Sequence, residues 1–323
     1  GPPGTGKTYW AMAAMQELAA RSWFAQSYAE LTDQQRTQLE THGALAQCTF
    51  HPAYGYEDFL VGYRPSVHGG NLTFESKKGV FAQLCERALR EPDKKFFLLI
   101  DEINRGDIPR IFGELITALE KDKRGHRVVI SMLNEPLVVP PNVHVIGTMN
   151  TADRSIVLLD AALRRRFAFL ELMPDSRVLR GVRIEGLPLG PWFEELNRRV
   201  LAHAGRDARN LQVGHSYFMS GAQAIRDTER FTEVLRDDVV PLLQEYCYDD
   251  FEALAQILGT TLMRVAEKRI DHTLFEPSRR GALFDALLLA FREISTTDAA
   301  AAADLSEDLD EEDVVDETDG SDE

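Results

Sequence analysis

Apolar and polar positions change rhythm repeatedly along the first half of the chain. Residues 8–20 follow a helical period. Residues 47–50 read as a short buried strand, and the aromatic stretch 51–59 after them reads as loop. Residues 79–90 form an amphipathic helix pattern, with Val80, Phe81, Leu84, Ala88 and Leu89 on one side. Lys95-Phe96-Phe97-Leu98-Leu99-Ile100 is a continuous apolar run of strand length, which suits a parallel strand covered on both faces. Residues 109–121 read as a further helix. Residues 128–131 and 137–139 read as a hairpin around Asn134-Glu135-Pro136, and 143–148 as the next core strand. Residues 167–172 read as the last strand of this part. Strands alternating with helices predict an α/β fold with a parallel sheet. After Pro174 the texture changes: 175–191 is broken by Gly and Pro and reads as a linker, and helical patterns dominate from Trp192 to about Ile294.

Composition refines this picture at one end. The 323 residues carry a net charge of −16. Thirteen Asp and Glu and no Lys or Arg fall in 298–323, which leaves −3 on the rest. That segment cannot bury enough apolar surface to order itself, so 295–323 reads as an acidic disordered tail, a docking strip for a basic surface being the sharper alternative. No run of 18 or more apolar residues predicts a membrane span. Cys48, Cys85 and Cys247 are scattered without metal-ligand spacing and read as reduced thiols of a cytoplasmic protein.

The chemistry starts at the first residue. Gly1-Pro2-Pro3-Gly4-Thr5-Gly6-Lys7-Thr8 is a complete Gly-x-x-x-x-Gly-Lys-Thr phosphate loop. Its glycines let backbone N–H groups curl around an anion, Lys7 reaches the β- and γ-phosphates, and Thr8 offers its hydroxyl to Mg²⁺. Leu98-Leu99-Ile100-Asp101-Glu102 is an apolar strand ending in two carboxylates, a Walker B pattern. Asp101 is expected to hold Mg²⁺ through its water shell, and Glu102 to orient and deprotonate the attacking water. Asn150, in Thr148-Met149-Asn150 at the end of the next strand, is the candidate sensor of the γ-phosphate. Arg164-Arg165-Arg166 places three guanidiniums before the last strand, suited to phosphate charge on a neighbouring subunit's nucleotide; a solvated turn and a nucleic-acid contact compete with that reading. A phosphate loop ordinarily follows a buried strand; none precedes Gly1 and no initiator Met is present, so the chain is expected to be an N-terminally truncated fragment.

Together these residues resemble the AAA+ superfamily, and within it the McrB-like subunits of McrBC modification-dependent restriction systems. Asp101-Glu102-Ile103-Asn104-Arg105 is similar to the family's extended Walker B, and Met149-Asn150-Thr151-Ala152-Asp153-Arg154-Ser155 to its signature string. Residues 50–65 resemble its segment after the second strand, and Gly214-His215-Ser216-Tyr217-Phe218 with Pro241-Leu242-Leu243-x-Glu245-Tyr246 its helical lid. The resemblance covers about residues 1–250 and implies a domain map: an AAA+ nucleotide-binding domain over 1–172, a linker over 173–191, a lid over 192–294 and the tail. It implies an oligomeric ring motor, hexameric, with nucleotide at subunit interfaces. Lys7, Thr8, Asp101, Glu102 and Asn150 act in cis; Arg165 or Arg166, with Asp153 and Arg154, face the neighbour's nucleotide. It further implies an McrC-like nuclease partner, and DNA recognition by an upstream domain or by that partner. Gln212 stands where the family often has a basic residue two before the lid's Gly-His, which puts a second sensor arginine there in doubt. No Asn-Lys-x-Asp guanine motif is present; the resemblance alone implies GTP, with ATP close behind. The alternative is a MoxR- or dynein-related ATPase that remodels protein complexes. His51, Tyr54 and Tyr56 line a pore or pack in the core.

Overall fold

The computed structural model describes residues 1–68, 71–130, 136–153, 161–292 and 294. Arg154, Ser155, Asp160, Asn134, Glu135 and the acidic tail lie outside the described residues. The chain divides into two compact units: Gly1 with Gly6–Leu172, and Pro2–Thr5 with the residues from Met173 onward.

The first unit opens with α1 (Lys7–Phe24), followed by α2 (Asp33–Thr41) and β1 (Leu45–Thr49). Next come α3 (Tyr56–Phe59), β2 (Val61–His68), β3 (Asn71–Lys78), α4 (Val80–Arg90) and β4 (Phe96–Asp101). The unit continues through α5 (Ile108–Phe112), α6 (Leu115–Ala118), β5 (Arg127–Val128), β6 (Leu137–Val138), β7 (Val143–Gly147) and α7 (Ala161–Arg164). Three strands form a parallel sheet in the order β1-β4-β7. The five apolar residues of β4 are all at most 2% exposed, because the central strand of a parallel sheet is covered on both faces. Phe59 stacks on Phe81 at 5.1 Å and tilts against Phe112 at 4.7 Å, closing the core beside the sheet.

Two expectations change here, and one element was not foreseen. The helix read over 109–121 is two short pieces, because Gly113 adopts φ 48°, ψ −126° and ends α5. A Cβ at Gly113 would lie 2.9 Å from the Tyr56 ring, so only glycine lets the chain turn this close. Residues 167–172 form no strand and join no ladder among the described residues, and Leu170 is 87% exposed; an apolar run makes a strand only where another backbone supplies the ladder. The β2–β3 hairpin, eight antiparallel pairs from Val61↔Lys78 to His68↔Asn71, was not legible as strands. Its side chains are largely exposed, so it lacks the half-buried alternation that sequence reading looks for. The core reading holds for Tyr54, stacked on Phe50 at 4.9 Å, and for half-buried Tyr56, which donates to Glu114 at 3.1 Å; His51 is exposed.

In the second unit, a short ladder of β8 (Arg183–Ile184) with β9 (Leu187–Pro188) leads into α8 (Leu189–His203). Then follow α9 (Thr228–Val234), a single π-helical stretch (Leu235–Val239), α10 (Val240–Cys247), α11 (Phe251–Leu258) and α12 (Arg280–Ala290). Trp192, fully buried, collects Phe218, Phe231 and Phe291 around it at 5.4–5.9 Å. The stretch 175–191, read as a linker, is packed into this unit: Leu179, Ile184 and Leu187 are at most 2% exposed. Its Gly and Pro shape turns that deliver those apolar side chains inward. Gln212 is buried and donates to the Arg209 carbonyl at 3.0 Å, so its side chain serves the packing of its own loop. Among the described residues no helix is long and apolar enough to cross a membrane.

Candidate active site

Every residue of the candidate site in the first unit lies at or just beyond the carboxyl end of a parallel strand or at the start of α1. Register aligns Thr49 with Asp101 and Ile100 with Gly147, so the residues leaving β4 and β7 emerge side by side. In open α/β sheets this edge is where ligands bind.

The loop before α1 is held open by backbone geometry. Gly4 and Gly6 have φ of 71° and 76°, conformations that L side chains rarely adopt. Gly6 caps α1 without any side-chain hydrogen bond, and the first turn holds no acidic residue. The N-terminal N–H groups of an 18-residue helix are thus left without a side-chain acceptor, the arrangement that receives a phosphate. Lys7 donates to the Gly1 carbonyl at 3.0 Å. Burial pushes its ammonium down to about 8, against the opposing pull of Glu102 and Asp101. An anion placed beside it would reverse that shift. Within the second unit, Ser216 N donates to Gly4 O at 2.8 Å, and a Cβ at Gly4 would strike the Tyr217 ring at 2.5 Å. Tyr217, part of the Gly-His-Ser-Tyr-Phe string read as belonging to the lid, is therefore a wall of the loop.

Asp101 and Glu102 diverge as β4 ends. Thr8 Oγ1 donates to Asp101 Oδ1 at 2.8 Å, across 93 residues of sequence. Thr148 Oγ1 donates to the same oxygen. This puts a hydroxyl and a carboxylate together as hard oxygen donors, the set that suits Mg²⁺ and its waters. Glu102 turns the other way because its backbone is left-handed, φ 52°, ψ 44°. For a non-glycine residue that conformation costs roughly 1–2 kcal/mol, and such strain concentrates at functional sites. The turn is fixed by Ile103 N donating to Thr148 O at 2.9 Å and Glu102 N to Thr148 Oγ1 at 3.2 Å.

The Glu102 carboxylate then meets Asn150, whose Nδ2 donates to Oε1 at 2.7 Å. Arg105 Nε lies 3.3 Å from Oε2, and the same guanidinium lies 3.6 Å from Asp153. Asn104, 7% exposed, anchors the loop by donating to the Asn150 carbonyl at 3.0 Å. Four buried oxygens here accept no hydrogen bond among the described residues: Glu102 Oε2, Asn104 Oδ1, Asn150 Oδ1 and Thr151 Oγ1. Buried acceptors are ordinarily satisfied, so this cluster is shaped for donors such as a hydrated metal and a positioned water. The residues thus fit a Mg²⁺–nucleotide group. Thr148, Asn104 and Arg105 stand inside strings quoted from the sequence, the first in the sensor string and the other two in the extended Walker B string, but no role was read for them there.

Arg165 and Arg166 follow α7. Both donate to Glu120 Oε1, at 3.1 and 2.5 Å, and the structure separates them by exposure: the Arg165 side chain is 67% exposed, that of Arg166 5%. A cavity of about 620 Å³ runs beside β7, lined by Trp10, Ile146, Met149, Leu163 and Phe167 among others. Gly1, Lys7, Thr148 and Arg166 line it as well, so this mostly apolar groove reaches the phosphate loop, whereas Thr8, Asp101, Glu102 and Asn150 do not line it.

A phosphate loop opening α1, with acidic residues at the end of the adjacent parallel strand, defines a P-loop nucleotide-binding fold. The model of the AAA domain (dynein-related subfamily) matches residues 1–167, and that of the McrB alpha-helical lid domain matches residues 188–255. The Type IV methyl-directed restriction enzyme EcoKMcrB subunit of Escherichia coli (strain K12) is 35% identical over 266 residues, covering 77% of this chain and 53% of that protein. The Type II restriction enzyme BsuMI component YdiS of Bacillus subtilis (strain 168) is 27% identical over 157 residues, covering 38% of this chain and 46% of that protein. The chain thus spans about half the length of the curated relatives it matches. It belongs to the AAA family, as a McrB-like member with an α/β nucleotide domain and a helical lid. Membership implies a nucleotide and, usually, Mg²⁺.

Proposed function

We propose that the chain is the motor portion of a McrB-like NTPase that hydrolyses GTP or ATP with Mg²⁺ and works as an oligomeric ring with a nuclease subunit in defence against modified DNA. The convergence of Thr8, Asp101, Glu102 and Asn150 on one strand edge, with unsatisfied buried oxygens between them, carries this reading.

Each residue has a role in that scheme. The loop from Gly1 through Gly6, with Pro2, Pro3, Gly4 and Thr5 between, wraps the phosphates, and Lys7 adds its charge. Thr8 and Asp101 hold Mg²⁺. When bound, the metal neutralises charge developing on the phosphate oxygens. Glu102 accepts a proton from the attacking water, and its left-handed turn aims the carboxylate away from the metal ligands. Asn150 fixes that carboxylate with its amide N–H and keeps its own Oδ1 for the water. Arg105 ties Glu102 to Asp153, so the base is oriented by the loop that leads toward Arg154. Arg165 or Arg166, with Asp153 and Arg154, serves the neighbour's nucleotide.

The test is phosphate release by the full-length protein with GTP and ATP in parallel, with and without the product of the neighbouring gene. GTP turnover stimulated by that neighbour supports the restriction motor and fixes the base. ATP turnover indifferent to it favours a remodelling ATPase of the dynein-related kind.

A further inference from the structure

Two guanidiniums share one oxygen of one carboxylate at Glu120, and they do so from very different surroundings. Arg166 is almost fully buried, while Arg165 stands in solvent on the next residue of the chain. Glu120 is itself well anchored. It follows α6, its N–H donates to Thr117 O, and its carbonyl accepts from Lys123 N at 3.0 Å. Leu119 beside it is 5% exposed, and Arg166 N donates to the carbonyl of Leu163, which is 1% exposed. Both partners of the inner pair are therefore fixed by packed backbone on two separate elements.

The charges make the arrangement asymmetric. Glu120 offers one negative charge to two guanidiniums, and of the two it is Arg165 that solvent can reach. An isolated exposed ion pair contributes little, about 0–1 kcal/mol, because two mobile side chains must be ordered for it. Here the carboxylate is already ordered by Arg166, so Arg165 is placed at lower entropic cost. Removing Arg165 from Glu120 leaves no buried charge unpaired, because Arg166 remains on the same oxygen. A phosphate arriving from another molecule could thus take Arg165 at the cost of one exposed, screened contact.

We propose that Glu120 is a positioning residue for the trans-acting arginine: it holds Arg165 extended on a carboxylate that Arg166 keeps paired, and yields it to the nucleotide of a neighbouring subunit on assembly. The proposal rests on the reading of Arg165 and Arg166 as acting in trans, and it assigns the transferred guanidinium to Arg165 and the anchoring one to Arg166.

Glu120→Gln tests it, since the amide oxygen can still accept from Arg166 while the charge that holds the second guanidinium is gone. In the assembled protein kcat is expected to fall roughly ten- to a hundredfold, as for a misplaced catalytic group, with nucleotide affinity unchanged. The discriminating step is to mix Glu120→Gln subunits with an excess of Glu102→Gln subunits, which hydrolyse nothing but present an intact Glu120 and Arg165 to their neighbours. Turnover per Glu120→Gln subunit should return to the wild-type level. Wild-type turnover of Glu120→Gln alone, or a defect that the mixture leaves in place, would overturn the proposal. Arg165→Ala and Arg166→Ala subunits mixed in the same way separate the two levels. Rescue of Arg165→Ala without rescue of Glu120→Gln refutes the positioning role alone; rescue of neither arginine variant refutes the trans reading beneath it. Should Glu120→Gln fail to fold, Glu120→Asp, which withdraws the charge by one methylene, is read in the same mixture.

Discussion

Two carboxylates, Glu102 in the first unit and Asp271 in the second, show how the same chemical group is held for different ends. Asp271 is 3% exposed and its oxygens are satisfied from three directions. Thr273 Oγ1 donates to it at 2.6 Å, Thr273 N at 3.2 Å, and the Arg264 guanidinium closes the other side. The Thr273 hydroxyl bond, with Arg264 behind it, holds the carboxyl down at about 2. Glu102 has one hydrogen bond, from Asn150, an oxygen that accepts none, and a backbone in the left-handed region. Both carboxylates have an arginine near. The difference is that both oxygens of Asp271 accept hydrogen bonds, whereas Glu102 Oε2 has only the Arg105 ion pair at 3.3 Å and accepts no hydrogen bond among the described residues. A saturated carboxylate stabilises its surroundings; an unsaturated one, held under strain by a rigid strand edge, is ready for a substrate.

That contrast can be broken at several points. The largest expected effect is on Glu102. Glu102→Gln keeps the shape and the Asn150 contact but removes the base, so kcat should fall by about 10²–10⁴ while nucleotide still binds. Unchanged turnover in a phosphate-release assay would remove Glu102 from the mechanism. Next, Arg165→Ala should lower turnover on the order of 10³ in the assembled protein and leave isolated subunits as they were; a dilution series of hydrolysis against subunit concentration reads the difference. On the Asp271 side the expectation concerns stability. Its folded carboxyl titrates below the unfolded value of 3.8, so the stabilisation is complete above about pH 4 and is lost as pH falls toward about 2. Asp271→Asn should therefore be less stable than the wild type at neutral pH. Denaturant melts of the two proteins should converge as the pH is lowered through that window, and a gap that persists at pH 2 would show another cause. The smallest effect sharpens the meaning of strain. Lys268 shares the left-handed backbone of Glu102, φ 50°, yet it ends a short turn near Asp271 and touches none of the site. Lys268→Gly should relieve its strain and stabilise by about 0.5 kcal/mol after the entropy of the glycine is counted, with hydrolysis unchanged; thermal melts and the same assay decide this.

Much of the site could be read from the chain because its signals are local. The phosphate loop and the strand that ends in Asp101-Glu102 each occupy a few consecutive residues whose types are dictated by chemistry. The parallel character of β4 followed from its unbroken apolar run. What escaped reading depends on partners far apart in sequence. Thr148 earns its place only through Asp101, 47 residues earlier. Glu120 is one more acid in Leu-Glu-Lys-Asp-Lys until Arg165 and Arg166 arrive beside it. The β2–β3 hairpin is held by backbone pairing rather than by a buried face, and residues 167–172 looked like a strand by composition but found no ladder among the described residues.

Residue type and spacing by themselves determined the class of chemistry: an anion-binding loop, two acids after an apolar strand and an amide after the next, all of it within an alternating α/β pattern. Those features are fixed by short-range chemistry and the periods of helix and strand. Only the tertiary structure decided how the parts were used. It bent Glu102 into a left-handed turn, gave Asp101 two hydroxyls, left oxygens at Asn104, Asn150 and Thr151 unpartnered, and set Arg165 in solvent while burying Arg166. Burial and hydrogen-bond satisfaction are properties of what surrounds a residue, and the surroundings come from segments that the local pattern leaves free to meet in more than one way.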